Sequence, residues 1–259
     1  MRMMKKVLGT VTVLALSVSL LAGCGSTAAS PVSSAASTAA ESTTSSVVSE
    51  TTSAAADENV AAAAQLLNDL TGSYQELWPV ILADEYQQTW LDDCTALVGE
   101  ENAEAAFEKL SSMVTGDVYG EDAVKAYANG GGAYFCGFTN SLAILTFDGE
   151  TSTISGTDKD GNVLFSHTYH YIGMEPVRGL YEFQSDDADS GEFTYFFLAP
   201  DTSAETYHIE FRYGSDAEAL SQYDTGEYAY WLASGISTDC DQTMIDNCIE
   251  LFCTENLAG

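Results

Sequence analysis

FTYFFLAPDTSAETYHIEFRYG, residues 193–214, is the stretch whose reading decides the fold. Phe193, Tyr195 and Phe197 recur at every second position, and beyond Pro200 so do Tyr207, Ile209, Phe211 and Tyr213. Residues i and i+2 of a strand share a face, so the pattern describes two neighbouring strands, each with one aromatic face. The other face of the second run carries Thr206, His208, Glu210 and Arg212. Whether that polar face looks into a lumen or away from it decides its use, and composition leaves both open.

The same texture extends upstream. From Ala133 onward, short runs rich in Tyr, Phe, Thr and Ile are divided by Asp148-Gly149, Asp160-Gly161 and the stretch from Asp186 to Gly191, all hairpin signals. About seven or eight strands are expected between Ala133 and Ser234, with a short helix near Ala217 to Ser221 and a closing helix from Asp239 to Glu255. From Asp57 to Gly130 the apolar spacing is helical: Val60, Leu66, Leu67 and Leu70, then Leu77 through Leu91, then Ala103 through Val114. The expected class is α+β, mainly β: an antiparallel barrel with N-terminal helices and a C-terminal helix.

The chain opens on Arg2, Lys5 and Lys6, an apolar run from Val7 to Leu21, and the small residues Ala22 and Gly23 before Cys24. That layout is a secretory signal peptide, residues 1–23; the run is short of the roughly 20 apolar residues a spanning helix needs. Leu21-Ala22-Gly23-Cys24 resembles the lipobox of bacterial lipoproteins, which implies diacylglycerol on the Cys24 sulfur, a fatty acyl chain on its freed amine, and a firm membrane anchor. Residues 24–57, nearly all Ser, Thr, Ala and Val, are expected to be a disordered tether. Residues 58–259 then form the folded domain, held outside the cytoplasm.

The whole chain carries 39 acidic residues against eight basic ones, a formal charge of −31. With Arg2, Lys5 and Lys6 in the leader, only Lys109, Lys125, Lys159, Arg178 and Arg212 remain in the mature protein. Such a field repels nucleic acid and anionic lipid surfaces and concentrates cations. Beyond Cys24 there are Cys94, Cys136, Cys240, Cys248 and Cys253, an odd set in a compartment where disulfides form. None forms a C-x-x-C pair, which argues against a thioredoxin-type or Cys-rich zinc site. Neither G-x-S-x-G, H-E-x-x-H, a P-loop nor G-x-G-x-x-G occurs, and no enzyme is expected.

Two stretches resemble the ZinT (YodA) family of zinc-recruitment lipocalins. LTGSYQELWPVI, residues 70–81, is similar to that family's aromatic-Gly-aromatic-Gln-aromatic-Pro opening. Residues 193–214 are similar to its strand ending in Ala-Pro, followed by a loop and a strand bearing His-x-His before a Gly. The resemblance covers roughly residues 59–251 and implies a lipocalin-like barrel, zinc binding, and delivery of the metal to an importer's binding protein. Anchored on Gly214, the His-x-His positions fall on His208 and Glu210, so one histidine is matched and the other is a carboxylate. A further family histidine falls on Phe196, which cannot ligate.

The expected metal ligands are therefore His208 and Glu210, brought to one strand face by their i, i+2 spacing. The ion is zinc, with calcium or manganese open because carboxylates are plentiful. A third ligand has to come from elsewhere; His167 and His170, three apart on one strand, face opposite sides, so one of them at most can join. In the bland reading His208 is a hydrogen-bonded wall histidine and Glu210 pairs with Arg212. The functional alternative is a metal-free lipocalin-like module that binds a small ligand or a partner protein at the cell surface through an aromatic-lined pocket.

Overall fold

In the computed structural model residues 47–258 are described, the side chains of residues 47–57 and 203 excepted. The signal peptide, Cys24 and the tether as far as residue 46 lie outside the described residues. Helix α1 (Val47–Asp69) begins within the stretch expected as tether and leads into strand β1 (Gly72–Glu76). Helices α2 (Leu77–Ile81), α3 (Gln87–Val98), α4 (Glu100–Ser112) and α5 (Glu121–Ala128) follow. Then come β2 (Ile144–Asp148), β3 (Thr153–Thr157), β4 (Val163–Met174), β5 (Tyr181–Ser185) and β6 (Tyr195–Leu198). A short α6 (Ser203–Thr206) precedes β7 (Ile209–Gly214), a short α7 (Ala217–Leu220) precedes β8 (Ala233–Ser237), and α8 (Gln242–Leu257) closes the chain.

The eight strands form a closed antiparallel barrel in chain order, with β8 returning to β1. The strand that completes it, β1, lies in the segment whose spacing reads as helical. Its five residues alternate around buried Tyr74, which pairs with Leu145 on one side and Ser237 on the other. So short a period-two run between helices leaves no separate trace in the sequence. The turns fall where expected: Asp148-Gly149 between β2 and β3, Asp160-Gly161 between β3 and β4, and 186–191 between β5 and β6. Gly149 is required there, because a Cβ would stand 2.4 Å from the backbone Cα of Asn68. The buried positions Ala63, Leu66, Leu67 and Leu70 repeat at helical spacing, and this face of α1 packs into the barrel's hydrophobic cluster.

Side chains fill the barrel. Ile209, Phe211 and Tyr213 share the inner face of β7, as the alternation requires, and are buried. On β6 the inner residues are Phe196 and Leu198, and the expected shared face of Phe193, Tyr195 and Phe197 holds only for Tyr195 and Phe197. The chain turns through a 3-10 segment at Gly191–Phe193, so the run from Phe193 is not one continuous strand. Phe196 pairs with Phe183 and Tyr213, and its ring lies 5.3 Å from Tyr213 and 5.4 Å from Tyr169. Phe193 stacks on Phe165 with ring centres 3.9 Å apart. Tyr207, expected to continue the β7 face, precedes the strand at φ 64° and packs instead with the helical cluster.

That second cluster lies outside the barrel wall. Leu77, Trp78 and Ile81 of α2, Trp90 and Cys94 of α3, Leu110 of α4, Ile236 of β8 and Ile249 and Cys253 of α8 pack together, and the fully buried Trp90 donates its indole N–H to the Ile81 carbonyl at 2.7 Å. Burying several large apolar side chains, at about 1.5–3 kcal/mol each, holds the helices to this side of the barrel.

Candidate functional site

The polar face of β7 looks outward, away from the barrel interior. Glu210 pairs across the sheet with Ser234, and Arg212 with Phe197. His208 lies one residue before β7, so it does not share a strand face with Glu210 as the i, i+2 spacing suggests; its ring reaches α8, where the Cys248 sulfur lies 3.9 Å from Nδ1. Nδ1 also stands 2.6 Å from the Thr206 carbonyl oxygen. A carbonyl can only accept, so Nδ1 carries the proton, and in the neutral ring Nε2 is left as the lone-pair nitrogen, the tautomer that metal-binding histidines use. Thr206 is itself held, its hydroxyl donating to the Thr202 carbonyl at 3.1 Å or the His208 carbonyl at 3.0 Å.

Two carboxyls feel the charge of this ring. Partial desolvation pushes the Glu255 carboxyl on α8 up, the His208 charge opposes that, and Glu210 and Asp201 push it up further. Asp201, directly after Pro200, is raised by partial desolvation and by Glu205, against a lowering from His208. Both residues are exposed. Among the described residues no cation pairs with Glu210, Asp201 or Glu255. Sequence spacing singles out neither Asp201 nor Glu255, since the second arrives from a helix beyond β8.

Two thiols border the seam and stay protonated at neutral pH. Burial first, then Glu255 and Cys240, push the Cys248 thiol up to about 12. Burial, then the Glu210 charge, do the same to Cys136, also to about 12. The donors near a cation here would be one imidazole nitrogen and flanking carboxylates, a mixture that suits zinc or manganese, with the Cys248 thiol beside them, whose proton a coordinating ion would displace. Among the described residues, however, no trio of His, Cys, Asp or Glu side chains converges on one point. Coordination at this seam needs the exposed Asp201 or Glu255 side chain to swing toward His208.

The other candidates are placed elsewhere. His167 and His170 do face opposite sides of β4, with side chains 15% and 52% exposed, and both are engaged in the turn after β5: His167 Nδ1 lies 2.8 Å from Asp187 and His170 Nδ1 2.6 Å from Asp186. Neither joins His208. Arg212 is not the partner of Glu210; its guanidinium donates to the carbonyls of Leu220, Gln222 and Tyr228, which enclose it beneath the segment after β7. The aromatic residues expected to line a pocket pack on one another inside the barrel. Clefts do open outside it, one beside Tyr119, Glu121 and Glu227 and another between α3 and α4.

No family model matches the chain, and no curated protein matches it. Among solved structures, the chain is similar to the Zn(II)-bound ZinT-like domain of Streptococcus pneumoniae AdcA. The identity is 15%, the TM-score 0.45, and the match covers 71% of this chain and 89% of that one. It is also similar to Zn(II)-bound AdcA from Streptococcus pneumoniae, at 17% identity and a TM-score of 0.40, with 70% of this chain covered and 34% of that one.

Proposed function

We propose that this chain is an exported lipoprotein, acylated at Cys24, whose barrel domain captures a divalent cation at the seam between β7 and α8 and presents it to a metal importer's binding protein. Zinc is the leading ion because an imidazole nitrogen heads the donor set; manganese and calcium follow because the remaining donors are carboxylates. What supports this reading is the Thr206 carbonyl fixing His208 Nδ1 as a donor, which leaves Nε2 its lone pair on a residue whose charge is felt by Glu255 and Asp201. Carboxyls that repel one another without a cationic partner gain most from a bound cation. Nothing in this role asks the protein to break a bond.

Competition against a chromophoric zinc chelator tests the site. Glu210→Gln and Glu255→Gln are each expected to weaken zinc capture by about tenfold, near 1.4 kcal/mol. Competition curves unchanged in both variants would remove the seam from consideration.

A further inference from the structure

Cys94 on α3 and Cys253 on α8 face each other across the helical cluster, their sulfurs 3.9 Å apart and both side chains fully buried. We propose that these two cysteines form a disulfide as the exported chain folds, cross-linking α3 to α8. The remaining thiols point elsewhere: Cys136 lies 3.9 Å from the Tyr134 carbonyl, Cys248 lies 3.9 Å from His208, and Cys240 is only partly buried. Closing the bond requires the two sulfurs to approach from 3.9 Å to about 2.05 Å. The residues are 159 apart in sequence, so the link closes a loop spanning most of the domain.

The oxidant is a second disulfide, either that of a thiol oxidase or of oxidised glutathione. The thiolate of one cysteine attacks it, forming a mixed disulfide and releasing one thiol. The other cysteine's thiolate then attacks the sulfur of its partner and releases the second thiol. Two protein thiols are oxidised, one external disulfide is reduced to two thiols, and the two protons reside on those thiols. Because the folded chain excludes reagent from both sulfurs, the exchange belongs to folding, before the cluster closes. The link would also fix the turn of α8 that carries Glu255, two residues beyond Cys253.

The cross-link in the cell rests on the export reading, so the test has two arms. In one, the full-length chain with its own leader is produced in a bacterium with an oxidising envelope; in the other, it is refolded from denaturant in reduced and oxidised glutathione. In both, free thiols are blocked and peptides are mapped without reduction. A peptide pair joining Cys94 to Cys253 in both arms is the expected result, with a melting temperature that drops on reduction. Linkage on refolding alone would support the pairing and count against export. Alkylation of both cysteines in both arms, or a Cys240–Cys248 bridge in their place, would overturn the proposal.

Discussion

The Arg212 guanidinium carbon lies 4.3 Å from the centre of the Tyr223 ring, and that of Arg178 lies 4.4 Å from it. Two of the five basic residues beyond Lys6 thus pack on one tyrosine, near the fully buried Glu175, which accepts the backbone N–H groups of Val177 and Arg178 at 2.8 and 2.6 Å. Burial, then Glu175, push the Tyr223 hydroxyl up to about 12, with both arginines opposing. In so acidic a protein this buried arginine is a structural bolt: it ties β7 to the segment from Leu220 to Tyr228.

Arg212→Ala is therefore expected to cost about 3–5 kcal/mol, because three carbonyls lose their donor at once. Arg212→Lys should recover only part of that, since an ammonium cannot reproduce the planar fork. Urea unfolding of both variants measures the difference; a change in Arg212→Ala below about 1 kcal/mol would show that water replaces the guanidinium without penalty.

The filled barrel makes its own demand. Phe196 is fully buried against Phe165, Tyr169, Phe211 and Tyr213, so Phe196→Ala should lower stability by about 3–5 kcal/mol. A barrel with a ligand-sized void would absorb the truncation at less than half that cost, and denaturant titration separates the two.

Stability should rise as pH falls from neutrality toward the upper carboxylate range. Burial, then Glu250 and Asp246, raise the Asp93 carboxyl, and burial, then Glu175, raise that of Glu182. A raised carboxyl binds its proton more readily in the folded state than in the unfolded one. Its contribution is present below the unfolded value and is lost as pH rises through the folded value, so ∂ΔG/∂pH is negative there. Asp158 is shifted the other way, held down by Asn162, and loses its contribution at more acid pH. Asp93→Asn should stabilise the protein at pH 7 by about 0.5–1 kcal/mol and flatten the slope; midpoints that fall steadily from pH 7 to pH 5 would contradict this.

Acylation of Cys24 is checked by metabolic labelling with a tagged fatty acid. The wild-type chain should take up label and partition into detergent, and Cys24→Ala should do neither. Equal labelling of the variant would place the lipid elsewhere.

Much of this architecture is legible in the residues. The turn dipeptides mark the hairpins, the alternation of Ile209, Phe211 and Tyr213 marks one shared face of β7 without saying which side of the wall it takes, and Leu66, Leu67 and Leu70 mark the packed face of α1, whereas Val60, expected with them, is exposed and Ala63 is buried in their company. Three things are not legible. β1 is only five residues long and flanked by helices, so its alternation is masked. The inner face of β6 depends on a 3-10 turn that breaks the run at Phe193. The company of His208 depends on α8 returning to β7, a contact between segments far apart in sequence, which is why Glu255 and Cys248 carry no local signal. His208 and Glu210 are singled out by the resemblance to the His-x-His strand; i, i+2 spacing suggests that Arg212 pairs with Glu210, and the fold shows three carbonyls that satisfy the guanidinium instead.

A cation at His208 is tested by isothermal titration of the full chain, carrying Cys24→Ser to prevent acylation. Zn²⁺, Mn²⁺ and Ca²⁺ are titrated into this protein and into the same chain with His208→Ala. The account expects saturable one-to-one zinc binding with Kd below ~10 μM, about −7 kcal/mol, abolished by His208→Ala. Zinc binding that is absent, or that is the same with and without His208, would contradict it.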